Sequence, residues 1–322
     1  MKKKYFSLII IIIITSLYGE MFAQYNKPDK SLYKKKAFTR KRYSIKWKNW
    51  RREIILGAGA TNFLGELGGA NQIGTNGIRD FDLYATRPCF MLGAEFKLKE
   101  FLSFRNQLSL GYLNGNDKYT EEPFRKNRNL NFRTPIVEFS TQLAIFMTAE
   151  REGHRYRIKG LKGWKYINIT SYVFAGFGLF YFNPQGYYNG SWHDLKPLST
   201  EGEGIVSTRK QYSLIQPCIP IGIGIKRNVT RYWSVGLEFG IRKTWTDYID
   251  DVSKTYVDPN LLRSTKGDLS ANISNPNLGL KPGSTLPGLE RGDPSQNDSY
   301  MFMMLTFTYK IPRGKTFPII HI

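Results

Sequence analysis

The sequence predicts an all-β chain: an eight-stranded antiparallel transmembrane β-barrel with long extracellular loops and a basic N-terminal periplasmic arm. Three observations carry that expectation. Segments of two-residue alternation recur along the chain, the pattern of strands with two unlike faces. One face is apolar and ends in Tyr or Trp (Tyr112, Tyr181, Trp233, Tyr309), while the other is Gly-rich or charged. A soluble sandwich or barrel would turn the apolar face inward, but a solvated surface has little use for so much glycine, and an aromatic girdle belongs to a lipid-facing exterior. The links between segments also alternate short and long, as periplasmic turns and external loops do.

Composition narrows the alternatives. The chain has 322 residues, 41% hydrophobic and 15% aromatic, which excludes disorder over most of its length. Mean hydropathy is −0.39, and no apolar run reaches the roughly 18 residues that cross a bilayer as a helix. Two Cys alone make neither a disulfide framework nor a tetrahedral zinc site, and three His leave little material for metal or base catalysis. No cofactor or metal is expected. The net charge of +21 calls for a partner or a compartment.

Residues 1–23 read as a signal peptide: Lys2, Lys3 and Lys4, a short apolar run centred on Leu8 to Ile14, and Ala23 before the cut. No Cys follows the apolar run, so a lipid anchor is not expected. Residues 24–51 form the basic arm. Between Gln24 and Arg52 stand twelve Lys and Arg against one acid, Asp29, so the arm holds most of the mature net charge of +19.

The barrel is expected over residues 52–311. Its first strand falls at about Arg52–Asn62. The second alternates Phe90, Leu92, Ala94, Phe96 and Leu98 with Met91, Gly93, Glu95 and Lys97. After a turn at Lys99-Glu100, the third sets Leu102, Phe104, Leu108, Leu110 and Tyr112 against Ser103, Arg105, Gln107, Ser109 and Gly111. The fourth and fifth lie at about Asn131–Phe146 and Asn168–Phe182. The sixth alternates Ile219, Ile221, Ile223 and Ile225 with Pro220, Gly222, Gly224 and Lys226. The seventh alternates Trp233, Val235, Leu237, Phe239 and Ile241 with Ser234, Gly236, Glu238, Gly240 and Arg242, and the eighth runs from about Ser299 to Ile311. Pro135, Pro217 and Pro220 are expected at bulges or strand ends. Residues 312–322 form a periplasmic tail.

Eight strands leave room for side chains rather than for an open channel. Glu95, Arg105, Glu138, Glu238 and Arg242, with Lys97 and Lys310, fall on the inward face and should pair as a plug of ion pairs. A proton or ion path is the alternative reading of the same charges. Cys89 and Cys218 fall on opposite strands, too far apart to bridge, and are expected as free, buried thiols.

Two stretches carry a family likeness. They are Tyr172-Val173-Phe174-Ala175-Gly176-Phe177-Gly178-Leu179-Phe180-Tyr181-Phe182-Asn183-Pro184, and Thr246-Asp247-Tyr248-Ile249-Asp250-Asp251-Val252-Ser253 with Tyr256 beyond. With Phe63-Leu64-Gly65-Glu66-Leu67 they resemble a family of small outer-membrane barrels from Bacteroidota that includes PorG, a component of the type IX secretion system. The resemblance spans about Arg52 to Ile311. It implies an integral outer-membrane subunit that links a periplasmic ring of the PorK lipoprotein and PorN to the membrane and supports protein export and, in gliding species, motility. It supplies no active site. The basic arm is longer than the family pattern, so its role is not carried over.

The arm residues Lys34, Lys35, Lys36, Arg40, Lys41 and Arg42, and the basic turn residues Arg151, Arg155, Arg157 and Lys159, are candidates for docking the ring. Anionic lipid or lipopolysaccharide attracts such segments too, and a solvated tail is the plainer reading. Nucleic acid is excluded by the signal peptide. Asp247, Asp250, Asp251 and Asp258 invite a calcium reading, against the simpler one in which they hydrogen-bond loop backbone. The stretch from Lys266 to Asp298, rich in Asn, Ser, Pro and Gly, reads as flexible. Ser191, His193 and Asp194 are close in sequence, but triads are assembled by the fold rather than by neighbours, and no enzyme is expected. His154 and His321 have no evident ligand partners. The readings that stand beside a secretion subunit are an outer-membrane stability or adhesion barrel and a small-solute pore.

Overall fold

A computed structural model describes residues 49–65, 67, 85–148, 169–230 and 232–312. The signal peptide, all but the last few residues of the basic arm, the basic turn with Arg151, Arg155, Arg157 and Lys159, and the C-terminal tail beyond residue 312 lie outside the described residues.

Ten strands follow one another: β1 (Arg52–Leu64), β2 (Arg87–Lys97), β3 (Leu102–Asn116), β4 (Asn131–Phe146), β5 (Ile169–Phe182), β6 (Gln185–Tyr188), β7 (Ser191–Asp194), β8 (Ile215–Asn228), β9 (Trp233–Thr244) and β10 (Ser299–Ile311). Eight of them close a barrel. The order β3-β2-β1-β10-β9-β8-β5-β4 is sealed by pairing of β3 with β4, and every neighbouring pair is antiparallel. Closure leaves the eight-stranded barrel itself without a free edge. The small β6–β7 hairpin extends from β4 through the pairing of Arg133 with Gln185.

The two faces sort as the alternation requires. On β2, Phe90 and Leu92 are 61% and 52% exposed on the outside, while the alternating Cys89 and Met91 are 0% and 3% exposed. The same apolar exterior continues over Leu108, Leu110, Phe139, Leu143, Phe177, Leu179, Ile221, Ile223, Leu237 and Phe307. Tyr112, Tyr181 and Trp233 stand at its rims, with Trp233 against Tyr309 at 4.9 Å between ring centres. A continuous apolar band of this size facing outward, around a charged inside, is stable only where hydrocarbon replaces water. Among the described residues no helix is long and apolar enough to cross a membrane.

The three prolines make no bulge. Tyr112 still faces Pro135 and Leu179 still faces Pro217, with each ladder in constant register. At Pro220, which has no N–H to give, the β5–β8 ladder skips two positions (from Ala175–Ile221 to Gly178–Cys218) and resumes without a slip. The flanking strands hold the register, so the missing donor opens a gap rather than a bend.

β5 fills the lumen with rings. Tyr172, Phe174, Phe180 and Phe182 all point inward and are buried. The glycines of β8 are their counterpart: Gly224 lies opposite Tyr172 and Gly222 opposite Phe174. A Cβ at Gly224 would lie 2.2 Å from the Tyr172 ring, and one at Gly222 2.3 Å from the Phe174 ring. At these two positions the inner face of β8 is glycine because its neighbour's rings lie across it.

At one end the described links are short turns, 98–101 and 229–232. At the other end they are long: 117–130, 183–214 and 245–298. Three short helices lie in these long connections: α1 (Pro123–Arg128), α2 (Pro259–Lys266) and α3 (Asp268–Ser274). α1 and α2 each begin with Pro in the first turn after an acidic cap, Glu122 accepting from the Arg125 N–H at 2.6 Å and Asp258 from the Asn260 N–H at 2.9 Å. The stretch from Lys266 to Asp298, read as flexible from its composition, is tied down instead. The Leu278 N–H donates to the Asn127 carbonyl, and the Leu280 and Lys281 N–H groups donate to the Asn127 side chain. Its Asn and Ser serve as turn and cap groups, a role that composition does not separate from disorder.

Candidate functional site

The interior divides into layers along the barrel axis. Nearest the short turns, Glu53 of β1 receives Lys97 of β2 at 2.6 Å and Lys226 of β8 at 3.0 Å. Beside it, Lys310 of β10 donates to Asn228 at 2.8 Å. In the next layer Arg105 of β3 bridges Glu95 of β2 at 3.0 Å and Glu238 of β9 at 2.5 Å, and the Tyr172 hydroxyl donates to the same Glu238 oxygen at 2.9 Å. The guanidinium also lies 5.4 Å from the Tyr172 ring centre and 5.9 Å from that of Phe174. A third layer joins Arg242 of β9 to Glu138 of β4 at 3.0 Å, with the Tyr300 hydroxyl donating to the same carboxylate oxygen at 3.0 Å. All these charged groups are buried.

The five inward residues singled out from the sequence thus separate into two clusters, Glu95–Arg105–Glu238 and Glu138–Arg242. The sequence reading missed Glu53 and did not single out Lys226. Both faces of β1 are largely apolar near Glu53, so its alternation is weak. Lys226 ends a clean alternation on the glycine face and was legible there.

Above the ionic layers the lumen is apolar. Phe63, Phe132, Phe180, Phe182, Tyr300 and Phe302 pack with Met91, Leu113 and Met304 into one cluster. Cys89 and Cys218 lie in it as free, buried thiols, Cys89 with its sulfur 3.4 Å from that of Met304. Ile249, Val252 and Tyr212 from the long connections belong to the same cluster. The Tyr212 ring stacks between Phe182 at 6.1 Å and Tyr248 at 4.7 Å, so the lumen core passes into the loops without a break.

The long connections meet in a folded cap. Its centre is Arg291, 3% exposed, which donates to Glu201 at 2.9 Å and to the Asp251 carbonyl at 2.6 Å. Glu201 also accepts the Ser253 and Lys254 N–H groups, each at 2.9 Å. Asp251, at φ +64°, accepts from the Tyr212 hydroxyl at 2.6 Å and from the Thr200 hydroxyl. Nearby, Arg128 grips Asp117 with two hydrogen bonds (2.8 and 3.1 Å) and donates to the Arg291 carbonyl at 2.6 Å. Three acids share this centre with Arg291. Burial, then the charges of Asp251 and Glu201, push the Glu203 carboxyl up to about 8. Burial also pushes Asp251 up, to about 6, against the pull of Arg291.

The stretch 247–252 builds the base of this cap. Tyr248 supplies the stacked ring, Ile249 and Val252 the apolar contacts, and Asp251 the acceptor described above. Asp250 accepts from the Val252 N–H at 3.0 Å, and Asp258 caps α2. These acids serve separate backbone and hydroxyl donors, and among the described residues no group of His, Cys, Asp and Glu converges to hold a metal. Ser191 and His193 do meet, Oγ to Nε2 at 3.0 Å, but Asp194 accepts from Asn183 and Gln185 instead. The arrangement occludes: charges neutralise one another in the lower lumen, rings fill the upper lumen, and a polar network seals the cap.

No curated protein sequence matches the chain significantly. Among solved structures, it is similar to Ail of Yersinia pestis (7% identity, 82% of this chain and 99% of that one, TM-score 0.35). It is also similar to a major outer membrane protein of Thermus thermophilus (12% identity, 81% and 99%, TM-score 0.34). A third similar structure is the N-terminal β-barrel domain of Pseudomonas aeruginosa OprF (10% identity, 81% and 99%, TM-score 0.32). The model of a domain of unknown function, DUF6089, matches residues 44–272, most of the chain, and the protein belongs to that family.

Proposed function

We propose that the protein is an integral outer-membrane barrel that works as a structural and docking subunit of the type IX secretion system, joining a periplasmic ring of PorK and PorN type to the membrane. The observation that carries the anchoring role is the occluded lumen: Arg105 bridges Glu95 and Glu238, and the rings of β5 stand above. A barrel filled in this way holds a position in the membrane rather than passing solutes. The apolar belt meets lipid and lipopolysaccharide, the short turns face the periplasm, and the cap faces outward. The secretion role is supported by the resemblance of residues 63–67, 172–184 and 246–256. In this reading the arm residues Lys34, Lys35, Lys36, Arg40, Lys41 and Arg42 and the turn residues Arg151, Arg155, Arg157 and Lys159 meet an acidic face of the ring.

The test is a mild-detergent pull-down of the tagged chain from native outer membranes. The ring lipoprotein and its partner should co-purify, and charge reversal at the six arm residues should release them. Recovery of the barrel alone, with crosslinking also negative, would refute the docking role. A second reading, an adhesion barrel with no secretion role, is favoured by the folded cap. Normal export after gene deletion would select it.

A further inference from the structure

Within the apolar belt one row of side chains differs from its neighbours. Across β2, β3 and β4 the pairing register sets Ala94, Asn106 and Thr141 side by side on the outer face. The row on one side is Leu92, Leu108 and Phe139, and the row on the other is Phe96, Phe104 and Leu143, all large and all exposed to the outside. Short side chains between two rows of long ones make a shallow groove, and Asn106 and Thr141 lie half-buried in it. The groove is well inside the hydrocarbon. Asn106 stands four residues from Leu102 at the short-turn end of β3 and six from Tyr112 at the outer rim. With about 3.4 Å per residue and a strand tilt of about 40°, it lies about 10 Å from one edge of the belt and about 16 Å from the other.

A carboxamide at that depth has a demand that lipid does not meet. The Thr141 hydroxyl donates to Asn106 Oδ1 at 2.8 Å, which fills one of that oxygen's two lone pairs. The Asn106 amino group, with two N–H donors, makes no hydrogen bond among the described residues. Acyl chains carry no acceptor, and water and head groups stay at the edges of the belt, so the bare donors cost free energy that a protein acceptor would recover. The acceptor has to stand at the same depth. A second copy of the chain in the same membrane meets that condition by construction, because a two-fold axis along the bilayer normal puts equivalent residues at equal height. A carboxamide is also its own complement: each Asn106 can donate an N–H to the free lone pair of the other. The spacing fits as well. Sheets packed face to face lie about 10 Å apart, and two carboxamides, each reaching about 3.5 Å from the backbone, then meet at about 3 Å.

We infer that this row is the contact through which two copies of the chain associate within the membrane, side by side about a two-fold axis, with their Asn106 carboxamides hydrogen-bonded to each other. In lipid no hydrophobic force draws apolar surfaces together, so polar side chains set among small ones are what hold membrane segments to one another. The flanking Leu and Phe rows pack around the polar centre and keep lipid out of it. The inference rests on the membrane-spanning barrel and not on the secretion role.

The test uses the full chain, labelled on an N-terminal tag with a donor or an acceptor dye and reconstituted in lipid vesicles over a range of protein-to-lipid ratios. Energy transfer should rise above that of random co-localisation and saturate as a dimer. Asn106→Leu should weaken association about tenfold, since two reciprocal hydrogen bonds are lost, and Ala94→Phe, which fills the groove, should also weaken it. Leu237→Ala on β9, four strands around the barrel from β3, should leave it unchanged. Leucine suits a lipid-facing position, so Asn106→Leu should fold, and heat-shifted gel mobility checks every variant. In a second arm a benzophenone amino acid at position 108 is photolysed in living cells, and an adduct of twice the chain's mass is expected. Transfer no greater than random at every ratio, a folded Asn106→Leu that associates like the native chain, or an adduct with a different protein in place of the doubled chain would overturn the inference.

Discussion

Replacing Arg105 with Met isolates the role of the lumen charges. The guanidinium is 2% exposed and serves two carboxylates, Glu95 and Glu238, whose side chains are buried almost completely. Met keeps most of the length and apolar stem but removes the charge, leaving both acids without their cation. Removing one member of a buried ionic cluster destabilises by about 3–5 kcal/mol, because the charge left behind is not solvated. The triple variant Arg105→Met, Glu95→Gln, Glu238→Gln removes the uncompensated charges as well. It should return to within about 1 kcal/mol of the native protein, since well-packed replacements of buried ion pairs are often neutral. Urea unfolding of the chain in lipid vesicles, followed by tryptophan fluorescence and gel mobility, measures both. Planar-bilayer conductance of the single variant should stay closed, because Tyr172 and Phe174 still fill that layer. A single variant as stable as the native chain would refute the ion-pair reading, as would a triple variant no better than the single one. A conducting Arg105→Met barrel would show that the arginine, and not the ring layer, blocks the lumen.

Three further outcomes follow from named contacts. Gly224→Ala would place a methyl against the Tyr172 ring, which must swing away from Glu238, so stability should fall by about 1–3 kcal/mol; an unchanged urea midpoint would show that the ring yields freely. Glu203 titrates at about 8 in the folded cap against 4.5 when free, so its protonation stabilises the cap fully below about 4.5, progressively less through the window between, and not at all above about 8. Asp251, raised from 3.8 to about 6, acts in the same direction. Hydrogen exchange in residues 195–214 and 245–256, corrected for intrinsic rates, should therefore show a looser cap at pH 9 than at pH 5, and Glu203→Gln should flatten the difference; a native cap equally protected at both values would contradict this. Cys89 and Cys218 are both 0% exposed and should resist a maleimide in the folded barrel and react with it in urea; prompt labelling of the native protein would mean the upper lumen opens.

What was legible in the sequence tracks how each part is built. β2, β3, β8 and β9 were plain because their two faces meet unlike surroundings, and a period of two records that directly. β5 was blurred because both faces are apolar: Val173, Leu179 and Tyr181 point outward, while Tyr172, Phe174, Phe180 and Phe182 fill the lumen. Only the partner register, Gly224 under Tyr172 and Gly222 under Phe174, tells the two apart. The inward charges could be named from their face but not paired, since Arg105 meets Glu238 across 133 positions of sequence. The cap was illegible for the same reason: Arg291 and Glu201 lie 90 positions apart in segments with no period. The Asn189-Gly190 pair, by contrast, is a strong local hairpin signal, and it marks the turn that closes the β6–β7 hairpin.

The filled lumen raises the question of why it holds ions at all. An apolar filling of equal volume could be as stable, because pairing inside a protein does little more than offset desolvation. The answer lies in specification rather than stability. A strand apolar on both faces has no preferred side, and a slip of one residue would exchange lumen and lipid faces at little penalty. Glu53, Glu95, Arg105, Glu138, Lys226, Glu238 and Arg242 make every such slip carry a charge into hydrocarbon, which is costly at the bilayer midplane, about 2–4 kcal/mol for an Arg or Lys. They also interrupt runs that would otherwise suit intermolecular β pairing before insertion. β5 has no charge on its inner face, and there the register rests on steric fit with the glycines of β8. The two devices divide the work by strand: charge sets the face where polar residues are present, and ring against glycine sets it where they are not. A charged lumen in this barrel is therefore expected of a sequence that must find one register, and by itself it does not imply that anything passes through.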